Sequence, residues 1–180
     1  MSKFALQGYE YIPGLLDDQE AVQLERELDS IFYEMPMEYD PGRGLIKMVY
    51  KPPCAQTIHD RVQYFLTRWL RTDLLPTYWF CTQYYNKSYM AAHKDRDACE
   101  ISVSLNIQQT EPWQLRLRDR FGKKRAFDTP PGDGVLYAGC DIEHWRTPYK
   151  GHRYTQLFLH YVKANGTRTE QQGDAFNSDC

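Results

Sequence analysis

The sequence predicts a mainly β protein, a barrel or jelly roll with helices packed on its outside. Two helical segments come first, and closely spaced strands follow Pro76. Turn-forming residues separate these strands, as expected for an antiparallel architecture. Tyrosine is abundant, with 14 copies. It suits strands that border a partly polar interior, because its ring fills volume while its hydroxyl forms hydrogen bonds.

The composition indicates a globular chain. Of its 180 residues, 42% are hydrophobic and 26% are charged, and the formal net charge is -2. These values argue against a disordered or membrane-spanning protein, and they give no overall attraction to nucleic acid or anionic lipid. We expect residues 1–165 to form a single domain and residues 166–180 a polar C-terminal tail. The oligomeric state is not predicted.

The cysteines predict free thiols. Five of them are scattered singly, an odd number without a C-x-x-C pair. The start of the chain leads into no long apolar run, so we expect no secretory signal and a cytoplasmic protein. Cys81, Cys99 and Cys140 are interpreted as small buried hydrophobic residues.

The first part of the chain predicts a short strand and two helices. The strand is expected at residues 4–12. Asp17, with Glu20 three residues later, is a capping-box pattern that starts a helix ending near residue 32. A second helix is expected at residues 56–71, where apolar residues recur at helical spacing. Both helices are interpreted as packing against a sheet, and His59 as a structural or exposed residue.

Between the helices, residues 35–53 are irregular, and residues 44–50 could form a strand. This segment is either a plain connector or one border of a substrate site. Further strands are predicted at residues 78–85, 100–108, 113–117, 134–138 and 153–162.

Three residues suit a metal site. His93 and Asp95 are two residues apart, so in extended backbone both side chains point the same way. His144 follows the strand predicted at residues 134–138 and supplies a third ligand. Two imidazoles with one carboxylate are typical of iron(II) sites that activate oxygen. The H-x-D pair is a weak signal by itself, and the later histidine strengthens it.

Alternating polar residues follow the H-x-D pair directly. Ser102, Ser104 and Asn106 lie on one face of their predicted strand. That face is either exposed to solvent or part of a polar barrel interior that receives a polar ligand. Its position directly after His93 and Asp95 favours the interior.

An arginine near the metal motif is expected to bind an anion. Arg153 begins the last predicted strand and shares a face with Thr155, so a guanidinium and a hydroxyl would converge on one ligand. A surface ion pair is the ordinary alternative for such an arginine. His152 and His160 fall on the opposite face and are interpreted as structural.

The motif residues occur in the order Tyr84, His93-Lys94-Asp95, Pro131-Gly132-Asp133, His144 and Arg153-Tyr154-Thr155. In this order they resemble the 2-oxoglutarate- and iron(II)-dependent oxygenases, in particular the prolyl-hydroxylase-like branch. The resemblance covers residues 78–162 and implies a double-stranded β-helix, a jelly-roll or cupin-like barrel supported by the two preceding helices.

The resemblance also implies roles for particular residues. His93, Asp95 and His144 would bind iron, and Arg153 would bind the distal carboxylate of 2-oxoglutarate. Thr155, Tyr84 and Ser104 would complete the co-substrate site. Tyr85 and Ser102 compete with the last two for these positions.

The reaction implied is the hydroxylation of an aliphatic C–H bond in a peptide, for example at a prolyl residue, or in an amino acid or small metabolite. Iron(II), 2-oxoglutarate and O2 would be required, ascorbate is a candidate stimulant, and succinate and CO2 would be released. Asp95 stands where related halogenases have a small residue, which favours hydroxylation. Leu159 stands where nucleic-acid demethylases have a second arginine, which disfavours nucleobase repair.

Two other functions stay open, namely a cupin-like metal protein without oxygenase activity (an isomerase or a binding module) and an inactive barrel that binds a protein. The complete ligand set and Arg153 argue against the inactive barrel.

A basic hairpin around Phe121 either steers an anionic partner or, as its nearby aspartates favour, is simply solvated. Trp145 and Arg146 either line the substrate mouth or pack at the barrel rim.

Overall fold

A computed structural model describes residues 2–173, in which three α-helices and eleven β-strands are present. The helices are α1 (Lys3–Gln7), α2 (Asp18–Tyr33) and α3 (Gln56–Leu70). The strands are β1 (Tyr9–Ile12), β2 (Glu38–Asp40), β3 (Gly44–Tyr50), β4 (Leu74–Tyr85), β5 (Met90–His93), β6 (Ile101–Gln109), β7 (Leu115–Arg118), β8 (Lys124–Phe127), β9 (Gly134–Tyr137), β10 (His144–Arg146) and β11 (Arg153–Lys163). Short 3-10 helices occupy Pro53–Ala55, Asp97–Cys99 and Thr169–Gln171.

The strands form two sheets. The larger sheet has the order β1-β9-β6-β11-β4-β3-β2, and the smaller sheet has the order β5-β10-β7-β8. Their inner faces meet, as shown by the hydrogen bond from Arg146 of β10 to Gln156 of β11. The predicted jelly roll, a double-stranded β-helix with helices outside, is confirmed.

Both long helices pack on the outer face of the larger sheet. The predicted capping box of α2 is present: the Asp17 carboxylate accepts from the Glu20 backbone N–H, and the Glu20 carboxylate accepts from the Asp17 N–H. The residues that α2 buries are Ala21, Leu24, Leu28 and Phe32, and those that α3 buries are His59, Val62 and Leu66. This helical layer gives the larger sheet a dry outer side.

The first predicted strand is wrong over its first half. Residues 3–7 form α1, because Ser2 caps its start by accepting from the Ala5 N–H and Gly8 ends it with a left-handed φ of 84°. The four strands β2, β5, β8 and β10 are not predicted either, since three or four residues are too few to show a period of two.

β11 lies at the centre of the larger sheet, and residues 154–162 are all buried. Leu157 and Leu159 pack in the core that includes the helices, whereas Phe158 packs with Tyr78 and Phe80 in the core between the sheets. Odd-numbered residues before the bulge at 159–161 therefore face the helices, and even-numbered ones face the interior.

The thiols of Cys54, Cys81, Cys99 and Cys140 are free, and Cys140 is half-buried rather than buried as expected. The last part of the predicted tail, residues 174–180 with Cys180, lies outside the described residues. Over residues 2–173, every helix is too short or too polar to cross a membrane.

Candidate metal centre

The three predicted metal ligands come together at one end of the smaller sheet. His93 ends β5 and His144 begins β10, and the two residues are cross-strand partners. Their ring centroids are 4.3 Å apart. Oδ1 of Asp95 lies 3.4 Å from Nε2 of each histidine. Two hydrogen-bonded strands and the turn that follows β5 thus bring one carboxylate oxygen and two imidazole nitrogens to a common point.

Hydrogen bonds to the backbone orient both imidazoles. Nδ1 of His93 lies 2.8 Å from the Ala91 carbonyl oxygen, and Nδ1 of His144 lies 2.9 Å from that of Ile142. A carbonyl oxygen only accepts, so each Nδ1 carries the proton in the neutral ring, and each Nε2 keeps a lone pair directed at Asp95. This is the arrangement that a metal-binding histidine requires.

Asp95 is held from its other side. Its backbone N–H donates to the Gly139 carbonyl oxygen over 2.9 Å, and the Ser102 hydroxyl donates to Oδ2 over 3.2 Å. Burial acts to raise the pKa of Asp95, but His144 and His93 opposite Oδ1 hold that pKa well below its usual range. The carboxylate is therefore ionised, with Oδ1 left for a cation.

The negative charge of Asp95 also affects the protonation of His93. Burial lowers its pKa, but the hydrogen bonds to Asp95 and to the Ala91 carbonyl outweigh this effect and raise the pKa above the ordinary value. Without a metal ion, a proton on His93 partly serves as the counter-charge to Asp95. Metal binding would displace this proton.

The donor set fits a metal ion. The three donor atoms lie within 4.8 Å of one another. Adjacent donors at metal–ligand distances of about 2.1 Å would be about 3 Å apart, so small shifts suffice. Two imidazoles and one carboxylate on one side leave the other side open, the facial arrangement typical of iron(II) sites that activate oxygen.

A second group, Asp95 with Cys99 and His160, has similar spacing but less suitable chemistry. Burial raises the pKa of the Cys99 thiol, which also contacts the Tyr78 hydroxyl at 3.0 Å. Nδ1 of His160 contacts the Ser102 hydroxyl at 2.9 Å. Because the thiolate is the form that binds metal, this group is the poorer candidate.

A cavity of about 550 Å³ opens beside the three ligands. Tyr78, Phe80 and Phe158 form an aromatic wall, with ring centroids of Phe80 and Phe158 4.7 Å apart. The β2–β3 segment supplies another side and includes Arg43, which pairs with Asp40 at 2.7 Å. Of the two interpretations of residues 35–53, the structure places this segment at the border of the cavity.

His160 lies on the opposite face of β11 from Arg153 and Thr155, as expected, and this is the face that lines the cavity. Burial lowers the pKa of His160 to about 3, which makes the ring neutral. Its place in the apolar run from residue 157 to 162 was the available signal, because a buried polar residue in such a strand needs a partner. Ser102 is that partner, between His160 and Asp95.

Arg153 and Thr155 do not face the cavity, and this part of the prediction is wrong. They share a face as expected, but it is the outer face of β11. Arg153 forms ion pairs with Glu25 (2.8 Å) and Asp29 (2.9 Å) of α2. The Thr155 hydroxyl accepts from the Gln83 amide over 3.4 Å. The ordinary alternative for a strand arginine, an ion pair, is what the structure shows.

Tyr84 and Ser104 do lie between the sheets. Both are buried, and the Ser104 hydroxyl has no hydrogen-bond partner among residues 2–173. Tyr85, the competitor of Tyr84, is on the outer face, where its hydroxyl donates to Gln83. Ser102, the competitor of Ser104, donates a hydrogen bond to the carboxylate of Asp95. Neither Tyr84 nor Ser104 is among the residues that line the cavity beside the three metal ligands.

No protein-family model and no curated protein sequence matches the chain. Solved structures do resemble it. A Pseudomonas putida prolyl-4-hydroxylase aligns with a TM-score of 0.68 and 17% identity, over 91% of this chain and 96% of that one. HygX from Streptomyces hygroscopicus, solved with nickel and 2-oxoglutarate bound, aligns with a TM-score of 0.70 and 12% identity, over 98% and 96%.

The resemblance extends to proteins with other reactions. The non-heme α-ketoglutarate-dependent carbocyclase SnoK from nogalamycin biosynthesis aligns with a TM-score of 0.75 and 12% identity, over 91% of this chain and 85% of that one. Sequence identity this low establishes the fold and leaves the reaction open. The chain has the double-stranded β-helix fold of the 2-oxoglutarate- and iron(II)-dependent oxygenases.

Proposed function

We propose that the protein is a 2-oxoglutarate- and iron(II)-dependent dioxygenase that hydroxylates an aliphatic C–H bond of a peptide, an amino acid or a small metabolite. The observation that carries this proposal is the set of His93, Asp95 and His144 beside a cavity, in which Oδ1 of Asp95 lies 3.4 Å from Nε2 of each histidine and each Nδ1 is held by a backbone carbonyl. When bound, iron and 2-oxoglutarate supply the oxidising chemistry, with succinate and CO2 as products.

The protein's own residues orient and enclose the reactants. His144 is 1% exposed and Asp95 11%, whereas His93 is 39% exposed. The open side of the site is therefore the His93 side, through which a substrate enters. Tyr137, whose ring centroid is 4.5 Å from that of His144, packs against the buried ligand and keeps water from it.

The cavity wall suits a substrate with an apolar part that carries the reacting carbon. Tyr50, Tyr78, Phe80 and Phe158 present ring faces, and Met48 and Met90 add flexible apolar surface. Aliphatic rings and chains pack well on such surfaces. Charged residues at the rim, Glu38, Arg43 and Lys94, suit the polar ends of an amino acid or peptide.

Two measurements test the proposal. Anaerobic addition of iron(II) and 2-oxoglutarate should produce a weak visible charge-transfer band, and O2 should then release succinate. The band should be absent from the His93→Ala variant. A screen of free amino acids and proline-containing peptides for faster 2-oxoglutarate turnover would identify the substrate. A protein that binds metal but gives neither band nor succinate would instead be a cupin-like isomerase or binding module.

A further inference from the structure

We propose that His160 is a positioning residue for the metal centre: it donates a hydrogen bond to Ser102, and this bond directs the single hydroxyl proton of Ser102 to the carboxylate of Asp95. The inference rests on the proposed function, because it takes Asp95 as an iron ligand. It gives a function to a histidine whose sequence position indicates only a structural residue.

A chain of hydrogen bonds connects His160, in the larger sheet, to the metal centre beside the smaller sheet. His160 of β11 and Ser102 of β6 are cross-strand partners, so their side chains lie next to each other on the same face. Nδ1 of His160 is 2.9 Å from the Ser102 hydroxyl oxygen, which is 3.2 Å from Oδ2 of Asp95. Because Oδ1 of the same carboxylate faces both ligand histidines, the chain ends at the metal-binding atoms.

The acceptors around Ser102 determine which ring nitrogen of His160 carries the proton. The hydroxyl has one proton, and two neighbours at 3.2 Å, Oδ2 of Asp95 and the Cys99 carbonyl oxygen, can only accept. If Ser102 donated to His160, its oxygen would face both acceptors without a proton between them. Nε2–H of His160 would then also be a buried donor without a partner among residues 2–173. The proton therefore lies on Nδ1, and His160 is the donor.

Asp95 is the better of the two acceptors for the Ser102 proton. An ionised carboxylate forms stronger hydrogen bonds than the neutral carbonyl of Cys99. Burial lowers the pKa of His160 to about 3, so its ring is neutral and acts through the Nδ1 proton and not through a positive charge. The hydrogen bonds thus run in one direction, from His160 to Ser102 and from Ser102 to Asp95.

The fold holds the His160 ring in the orientation that this donation needs. The side chain is buried, and its ring centroid lies 4.7 Å from that of Tyr78 and 5.6 Å from that of Phe80. The His160 backbone carbonyl accepts from Nε2 of His59 over 3.2 Å. A ring packed in this way fixes the Ser102 hydroxyl and, through it, the rotation of the ligating carboxylate.

The test compares three substitutions of His160 by their iron(II) affinity, measured by competition with a chelator under nitrogen. His160→Asn keeps an amide N–H close to the position of Nδ1, whereas the longer side chain of His160→Gln places its amide near Nε2. We expect His160→Asn to bind iron(II) as tightly as wild type, and His160→Gln and His160→Phe to bind it about tenfold more weakly. His59→Gln replaces another buried histidine beside β11 and should keep the wild-type affinity.

A double-mutant cycle shows whether His160 acts through Ser102. Ser102→Ala removes the middle of the chain of hydrogen bonds, so His160→Phe should cause no further loss of iron(II) affinity in that background. Losses that add would show that His160 acts independently of Ser102, as a direct iron ligand would, and would overturn the proposal.

Urea denaturation of the metal-free variants identifies any that does not fold. If His160→Phe does not fold, the comparison of His160→Asn with His160→Gln decides, since both carry an amide and differ in where they place it. Equal affinities of these two variants would overturn the assignment and leave the proposed function standing. A wild-type protein that does not bind iron(II) would refute the proposed function as well.

Discussion

The Ser102 hydroxyl holds the carboxylate of Asp95 from the side away from the histidines. Its Oγ lies 3.2 Å from Oδ2, while Oδ1 faces both Nε2 atoms. Hydrogen bonds of this kind fix the rotation of a ligating carboxylate. We therefore expect Ser102→Ala to weaken iron(II) affinity by about tenfold. The measurement is a competition titration with a chelator under nitrogen.

Ser30→Ala is the matched control for this loss. Ser30 is a serine on α2 whose hydroxyl donates to the Arg26 carbonyl, far in sequence and in the fold from the metal ligands. It should leave the affinity unchanged. Equal affinities of the Ser102→Ala variant and wild type would show that Asp95 is positioned without this hydroxyl.

Gly139 has no room for a side chain. A Cβ at this position would lie closer than 3.0 Å to the Cys99 carbonyl oxygen, to Oδ2 of Asp95 and to Oγ of Ser102. The Gly139 carbonyl also accepts from the Asp95 N–H, so the backbone cannot move away without disturbing Asp95. We expect Gly139→Ala to displace the carboxylate and to lower iron(II) affinity by about tenfold or more. Metal content after equilibrium dialysis would measure this.

Gly166→Ala serves as the comparison, because its nearest neighbour would be the Lys163 carbonyl oxygen at 3.2 Å and no predicted ligand is close. Its metal content should equal that of wild type. Full metal occupancy in the Gly139→Ala variant would refute the close packing around Asp95.

The metal motif could be predicted because local geometry determines it. An extended backbone turns His93 and Asp95 the same way, and the next strands bring His144 back. The orientation of β11 could not be predicted in the same way. Residues 154–162 are buried on both sides, so alternation shows which residues share a face but not whether that face meets helices or cavity. The alternation thus correctly separates Arg153 from His160, but it does not show that the His160 face is the one that meets the cavity.

Because Arg153 forms ion pairs with α2, we expect this residue to contribute to stability only. Arg153→Gln removes its pairs with Glu25 and Asp29, and all three side chains are partly exposed. Exposed pairs contribute little, so the free energy of unfolding should fall by only about 1 kcal/mol. Urea denaturation measures the fall, and a double-mutant cycle with Glu25→Gln should show coupling. A variant with wild-type stability would show that these pairs contribute nothing.

The buried His59 should make the free energy of unfolding depend on pH. The ring is fully buried on α3, 4.7 Å from the ring of Tyr161 and 4.8 Å from that of Trp79. Burial lowers the pKa of His59 to about 4 from an ordinary value of 6.5. The unfolded chain therefore binds a proton below pH 6.5 that the folded chain does not bind until about pH 4. The contribution of the neutral His59 ring to the free energy of unfolding is complete above pH 6.5 and is lost as the pH falls from 6.5 to about 4.

At pH 5 this one group should cost about 2 kcal/mol of unfolding free energy relative to pH 7. In His59→Gln, whose amide can still donate to the His160 carbonyl that His59 contacts at 3.2 Å, the loss between pH 7 and pH 5 should be smaller by that amount. His152→Gln replaces an exposed histidine and should keep the wild-type pH dependence. Urea denaturation at both pH values gives the comparison. If His59→Gln lost as much stability on acidification as wild type, the buried neutral ring would not be a source of acid sensitivity.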